Sequence, residues 1–433
     1  MATREHVDKI LEQWNKSGVI QQTLSDIDNN FTHAYADTIM TKLQTGWSSC
    51  LVKQFTTAMP QLSIIQDIVW EQLHTGDWKD VPVIWRCLYS HSSLLISLCH
   101  VSDGNLTQAM LELDKAILMG CPILDNCIQE LATVVSSEIS FNNNNSTSTS
   151  SADKKQSLQT LDIDQSREDD SGQAKRPRLD SHDSRDVVSV NNIIEKVRSP
   201  SLNDFLLNYM TKHHPVILLD CMDHWPASTK WSIEYLRKIA GPRTVPVELG
   251  SRYTDDNWSQ QLMTIVSFID KYIDNPTPGD PVGYLAQHTL FDQIPQLRED
   301  IVVPDYCCLT TLTDEDGSDN PDVKINAWFG PAGTISPLHY DPEHNLLSQV
   351  VGSKYIRLYS ADQSSYLYPR DGIMSNTSQV DVENPDLQEF PQFTKAVSLE
   401  CILQPGQMLY IPPKCWHYVR SLETSFSVSM WWS

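Results

Sequence analysis

The chain lacks any Cys-x-x-Cys pair. Its ten cysteines, at 50, 87, 99, 121, 127, 221, 307, 308, 401 and 415, never fall at the spacing that holds a structural zinc. Zinc fingers are set aside, and reduced thiols of an intracellular protein are expected. Also missing is any run near the roughly 20 apolar residues that a bilayer demands. The opening MATREHVDKILEQWN has no apolar signal core, so no membrane partner is expected. Basic residues are scarce: 32 Lys and Arg stand against 55 Asp and Glu, a formal net charge of −23. Phosphate backbones would be repelled, so direct nucleic-acid binding is not expected, whereas basic peptides would be attracted. What is present is core material. Hydrophobic residues make up 40% of the chain, with 12 Trp, which excludes wholesale disorder.

Length and composition divide the chain in three. Residues 141–190, with FNNNNSTSTSSADKKQ and SREDDSGQAKRPRLDSHDSRD, cannot bury enough apolar surface to offset chain entropy and are read as a disordered linker. Within it, Lys175-Arg176-Pro177-Arg178 is a basic cluster of the kind an importin reads, which places the protein in the nucleus, with the cytoplasm as its other station. Residues 1–140 read as a helical interaction domain. Leu106, Ala109, Met110, Leu113, Ala116 and Ile117 follow helical spacing, with Asn105 and Gln108 as a capping pair and Gly120 as the stop. Trp85–Cys99 supplies a preceding helix; a single such pair does not make a repeat array.

Residues 191–433 read as the catalytic domain. Helical stretches (Leu202–Met210, Ile233–Ile239, Leu262–Tyr272) and the apolar run Pro215–Leu219 give way, from about 324, to strands: KINAWFGP, NLLSQVVGSKYIRLYS, LECILQPGQMLYIP, WHYVRS and SFSVSMWW. Short strands between turn signals predict a jelly roll, so the fold class is α+β: a double-stranded β-helix with flanking helices, plus an all-α N-terminal domain.

His339-Tyr340-Asp341 sets an imidazole and a carboxylate on one face of an extended segment, and His417 offers a third ligand. Two histidines and one carboxylate form the triad that leaves three positions open on a non-haem Fe(II) for co-substrate and dioxygen. The other His-x-acid pair, His6-Val7-Asp8, lies in a polar N-terminal helix with no such surroundings. Gly333, Ser336 and Pro337 precede His339, and a short turn carrying Asn345 follows it. On the next strand but one, Lys354 shares its face with Ile356 and Leu358. A lysine turned inward needs an anion, unless it snorkels at a strand end. One carboxylate of 2-oxoglutarate would satisfy it while the 2-oxo acid end chelates the iron.

These segments, INAWFGPAGTISPLHYDPEHNLLSQVVGSKYIRLYS, NTSQVDVENPDL and SFSVSMWWS, resemble the JmjC family of 2-oxoglutarate oxygenases. The resemblance implies that His339, Asp341 and His417 hold iron, and that Tyr284 (in VGYLAQH), Ser336, Asn345 and Lys354 bind 2-oxoglutarate, with Trp431 close by. It implies hydroxylation of arginine side chains in protein substrates, with Glu248 and Trp258 (in VPVELGSRYTDDNW) cradling the guanidinium and Gln287 and Trp328 lining the mouth. A guanidinium does want a planar carboxylate and an aromatic face. Demethylation of histone N-methyl-lysine and clipping of histone tails are the alternatives, so the expected partners are basic, arginine-containing proteins, histone tails among them. A non-catalytic JmjC scaffold is a further alternative, which the intact triad and Lys354 disfavour. His344 is expected to be a solvent-facing or supporting residue, not a fourth ligand.

Overall fold

The computed structural model describes residues 2–30, 33–75, 80–153, 192–250, 254, 258–310 and 323–433. Lys175–Arg178 lie outside the described residues. No helix among the described residues is long and apolar enough to cross a membrane.

The N-terminal part is helical: α1 (Ala2–Ser17), α2 (Val19–Asn30), α3 (His33–Leu51), α4 (Phe55–Leu73), α5 (Val83–Ser102), α6 (Leu106–Met119) and α7 (Cys127–Asp153). The expected pair is α5 and α6. Asn105 caps α6, its side chain accepting from the Gln108 backbone N–H at 3.3 Å. Gly120 ends the helix because α5 passes too close for a side chain: a Cβ there would meet Ser90 Oγ at 2.0 Å. Its apolar face, Ala109, Met110, Leu113 and Ala116, joins one core with Leu62, Ile65, Leu95 and Leu98. Helix α7 continues to Asp153, into the stretch read as linker. No proline or glycine interrupts it.

Among the described residues, the second part is built on thirteen strands: β1 (Lys196–Arg198), β2 (Val216–Leu219), β3 (Thr244–Leu249), β4 (Ser259–Thr264), β5 (Gly283–His288), β6 (Lys324–Gly330), β7 (Ile335–His339), β8 (His344–Val351), β9 (Lys354–Tyr359), β10 (Leu399–Leu403), β11 (Met408–Ile411), β12 (Trp416–Ser421) and β13 (Ser425–Trp432). They form a large sheet, β1-β2-β11-β8-β13-β6-β5-β3-β4, and a small one, β10-β9-β12-β7. The sheet thus begins far upstream of residue 324, where it was expected to start. Leu262–Thr264 belong to β4, and only from Ile265 does the chain turn helical, so the first three residues of the helix expected over Leu262–Tyr272 are strand. Apolar runs of this length satisfy both periods, and pairing with β3 decides.

Three apolar layers result. Between the sheets, Leu347, Leu409 and Ile411 meet Ile356, Leu358, Leu403 and Val419. The outer face of the large sheet (Met408, Tyr410, Val428, Met430, Trp432) is covered by Phe205, Trp225, Trp231, Phe268 and Phe291. The outer face of the small sheet (Tyr355, Tyr359, Trp416, Tyr418) lies under Leu367, Val380, Val382 and Phe393 from the long β9–β10 connection. Strand β9 is therefore buried on both faces, and Lys354 is only 1% exposed.

The step from β8 to β9 crosses between the sheets through Gly352, whose φ of +68° puts an added Cβ at 2.2 Å from the Thr424 carbonyl oxygen. Gly352→Ala should therefore destabilise this domain by roughly 2–4 kcal/mol, combining left-handed strain and overlap. Urea unfolding followed by tryptophan fluorescence measures it. An unchanged midpoint would show that the crossing does not depend on this approach.

Candidate active site

The antiparallel pairing of β7 with β12 sets His339 directly opposite His417, with ring centroids 4.2 Å apart. Each imidazole is oriented by its own strand. Nδ1 of His339 donates to the Pro337 carbonyl at 2.7 Å, and Nδ1 of His417 to the Cys415 carbonyl at 3.0 Å. Those bonds fix the tautomer that leaves both Nε2 lone pairs for a metal. Asp341, just beyond β7, faces them, with Oδ1 3.9 Å from His339 Nε2 and Oδ2 3.6 Å from His417 Nε2. Its backbone carbonyl accepts from Lys414 N at 2.7 Å, which ties the β11–β12 turn to the triad. One ligand atom from each residue lies within 4.8 Å of the others, and this is the one such group among the described residues. Burial and the neighbouring His417 push the His339 pKa down to about 4, so the ring is neutral and ready to ligate at physiological pH. The donor set fits iron(II): two neutral imidazoles and a carboxylate on one side, the other side open.

Two connected cavities meet at the triad. The inner one continues to Asn345, Leu347, Lys354, Ile411 and Val419. Lys354 Nζ donates to Tyr284 Oη at 3.2 Å, and burial lowers its pKa to about 7. Asn345 Oδ1 and Trp431 Nε1 are buried there without hydrogen-bond partners. A buried lysine and orphaned polar atoms on one wall are what an anionic, oxygen-rich ligand would satisfy. All five residues expected around 2-oxoglutarate, Tyr284, Ser336, Asn345, Lys354 and Trp431, line this cavity. Asn345 lies on β8, paired with Trp431 of β13, not in a turn before the strand as expected. The pairing pins it in place.

The outer cavity, about 390 Å³, shares Tyr284, Trp328, Ser336, His339, Asp341 and Trp431 and adds Glu248, Gln287, Met374 and Asn376. Glu248 on β3 accepts from Trp258 Nε1 at 3.3 Å, and burial raises its pKa above the ordinary carboxylate value. No cation pairs with it among the described residues. Trp258, 37% exposed, lies outside both cavity linings. Trp328 donates to Ser429 Oγ at 2.8 Å, which fixes its ring on the wall. His344 is buried, not solvent-facing: it meets Tyr410 Oη at 2.8 Å and stacks on Trp432. It is not part of the metal-ligand group.

Met374, Asn376 and Thr377 escaped the sequence reading. They reach the site through backbone pairing: Tyr340 N donates to the Asn376 carbonyl and Asn376 Nδ2 to the Tyr340 carbonyl, both at 3.0 Å. Ser378 N also donates to the Leu338 carbonyl at 2.8 Å. NTSQ carries no period that announces this pairing.

A family model described as a cupin-like domain matches residues 202–433, and one described as KDM8-like, N-terminal ARM repeats, matches residues 53–162. Helices α4–α7 thus fall in a region that matches a repeat family, which the single pair read from the sequence did not reveal. Among curated proteins, the chain is 46% identical over 379 residues to lysine-specific demethylase 8 of Danio rerio, covering 86% of each. It is 42% identical to lysine-specific demethylase 8 of Xenopus tropicalis, over 86% of this chain and 87% of that one. It is 37% identical to Jumonji C domain-containing protein 5 of Drosophila melanogaster, over 84% of each.

Burial holds the Lys354 pKa down at about 7, so near neutral pH the amine can lose its proton. A bound carboxylate selects the protonated form and raises that pKa, so binding takes up protons. Affinity for 2-oxoglutarate should fall as pH rises from 7 to 9, by up to roughly tenfold per unit. Calorimetry in buffers of different ionisation heat reads the uptake. Lys354→Ala should abolish the pH dependence and most of the affinity while iron binding persists. Unchanged affinity in that variant would mean that no carboxylate docks there.

Proposed function

The chain belongs to the JmjC family of 2-oxoglutarate oxygenases, whose cofactors are iron(II), 2-oxoglutarate and dioxygen, and from that premise we propose that it oxidises a cationic side chain of a protein substrate. The observation that carries this reading is the partition of charge about the triad, with Lys354 on the inner side and Glu248 on the outer. A buried carboxylate without a cation is costly, and an incoming cation relieves it. Iron with 2-oxoglutarate supplies the oxidising power: one oxygen of dioxygen enters the substrate C–H bond and the other leaves in succinate, with release of carbon dioxide. The protein's own residues position the partners. Lys354 and Asn345 hold the co-substrate, Tyr284 and Trp328 wall it from the vestibule, and Glu248 orients the target.

Removal of a methyl group from N-methyl-lysine, on histone tails or similarly basic proteins, is the first reading. It is supported by the similarity, over more than four fifths of both chains, to proteins named lysine-specific demethylase 8. Arginine hydroxylation, placed first on sequence resemblance, becomes the second reading. Its support is the Glu248–Trp258 pair, a carboxylate with an adjacent indole that suits a guanidinium. The chemistry differs only after oxygen insertion: a hydroxylated N-methyl collapses to formaldehyde, whereas a hydroxylated arginine carbon is stable.

One basic peptide, made with either N-methyl-lysine or arginine at the same position, separates the readings. Mass analysis should show loss of one methyl group with formaldehyde, or gain of one oxygen. Glu248→Ala should weaken either peptide by about 2–5 kcal/mol, and His339→Ala or His417→Ala should abolish turnover. Normal turnover in a histidine variant would overturn the metal assignment; normal peptide turnover in Glu248→Ala would remove the cation site. The nuclear address proposed for Lys175–Arg178 has its own check: alanine at Lys175, Arg176 and Arg178 should abolish nuclear accumulation of the tagged full chain.

A further inference from the structure

One carboxylate of the helical domain is completely buried in the catalytic domain. Asp114 on α6 is 0% exposed, and its Oδ1 accepts from Arg243 Nε at 2.9 Å, Arg243 Nη2 at 2.7 Å and Gln293 Nε2 at 2.8 Å. Its Oδ2 accepts from the Thr244 backbone N–H at 2.6 Å. Gln293 Nε2 also donates to the Thr244 carbonyl, and Gln293 Oε1 meets His288 Nε2 at 2.8 Å. Thr244 begins β3, with Arg243 immediately before it, and the other end of β3 carries Glu248; His288 ends β5, which carries Tyr284 and Gln287.

The strand held in this way is irregular where it matters. The register of β5 with β6 shifts between Leu285 and His288, and Gln287 within the shift has φ +46°. A left-handed glutamine in a bulge is a strained conformation, and such conformations persist only where the surroundings enforce them. The bulge directs Ala286 and Gln287 onto the wall of the outer cavity. On its C-terminal side the enforcing contact is the chain His288–Gln293–Asp114.

We propose that Asp114 is a positioning residue: the helical domain, through this one buried carboxylate, holds the β5 bulge and the start of β3 and so sets the substrate wall of the active site. The claim about the wall rests on the vestibule being the substrate's entry, while the claim about the bulge does not. Asp114→Asn in the full chain keeps the shape but faces an amide N–H against Thr244 N–H or the Arg243 guanidinium. Hydrogen exchange should then accelerate at least tenfold at the amides of 285–288, with the amides of β7 and β12 unchanged. The KM for whichever peptide the wild-type protein turns over should rise about tenfold, with the KM for 2-oxoglutarate and peptide-independent succinate formation unaltered. Gln293→Met, which leaves the Asp114–Arg243 pair in place, should give the same local pattern and decides the matter if Asp114→Asn does not fold. Exchange unchanged at 285–288, or raised equally in β12, overturns the proposal, since Asp114 would then be only a staple between domains. A local exchange effect without a change in peptide KM overturns its role in the substrate wall. A wild-type protein that turns over neither peptide sinks the cationic-substrate reading and leaves the exchange result to decide on Asp114.

Discussion

Two imidazoles and a carboxylate must converge to ligate a metal, yet stay neutral or paired while they wait for it. The β7–β12 register meets that constraint, because cross-strand neighbours are the closest side chains a sheet can offer. His339 faces His417 across it, and each ring spends its Nδ1 proton on the carbonyl two residues back along the chain. Moving either strand by one residue would turn its histidine to the opposite face. The small sheet is held against such slippage by apolar layers on both faces, and the strap 376–378 pairs with 338–340 at its edge. The covering segments, remote from the metal in sequence, therefore serve its geometry.

The same two-sided burial makes Lys354 informative. A lysine near a surface would reveal little, since its stem can carry the charge to water. Here β9 has packed faces on both sides, and the amine is confined to the inner cavity with Tyr284. The fold accepts the cost of an ill-solvated amine, which an anionic co-substrate removes. Glu248 poses the converse problem on the other side of the triad, where the vacancy suits a cation. Ligands of opposite charge are thereby sorted to opposite sides of the metal before any contact with it is made.

The parts of this arrangement legible in the sequence are those written in local periodicity. Strands β6 and β8–β13 stand out because alternation and turn residues recur within a few positions, and Lys354 because its neighbours on the same face are Ile356 and Leu358. The His-x-Asp pair reads directly from a strand end. Strands β3, β4 and β5 were hidden for a physical reason. Four of the six residues of β4 are exposed, and β5 breaks its own alternation at the bulge. Neither shows a clean apolar stripe. Met374 and Asn376 were illegible because a connection without repeating structure is positioned by backbone hydrogen bonds, which any sequence can make.

The least legible contact is also one that joins the two domains. Asp114 lies amid an apolar helix face, between Leu113 and Ala116 in the core, where a carboxylate looks like an intruder. Its partner Arg243 is 129 residues away in sequence and equally buried. A buried pair is weak evidence for stability, because apolar residues of the same volume often do as well. It is better evidence for alignment, since a planar guanidinium and a carboxylate accept few relative orientations. The pair, together with Gln293, converts loose docking between a helical array and a sheet into one register. That register is set at the strands which carry Glu248, Tyr284 and Gln287, so the catalytic domain's substrate side is built against a neighbouring domain while its metal side is complete within its own two sheets.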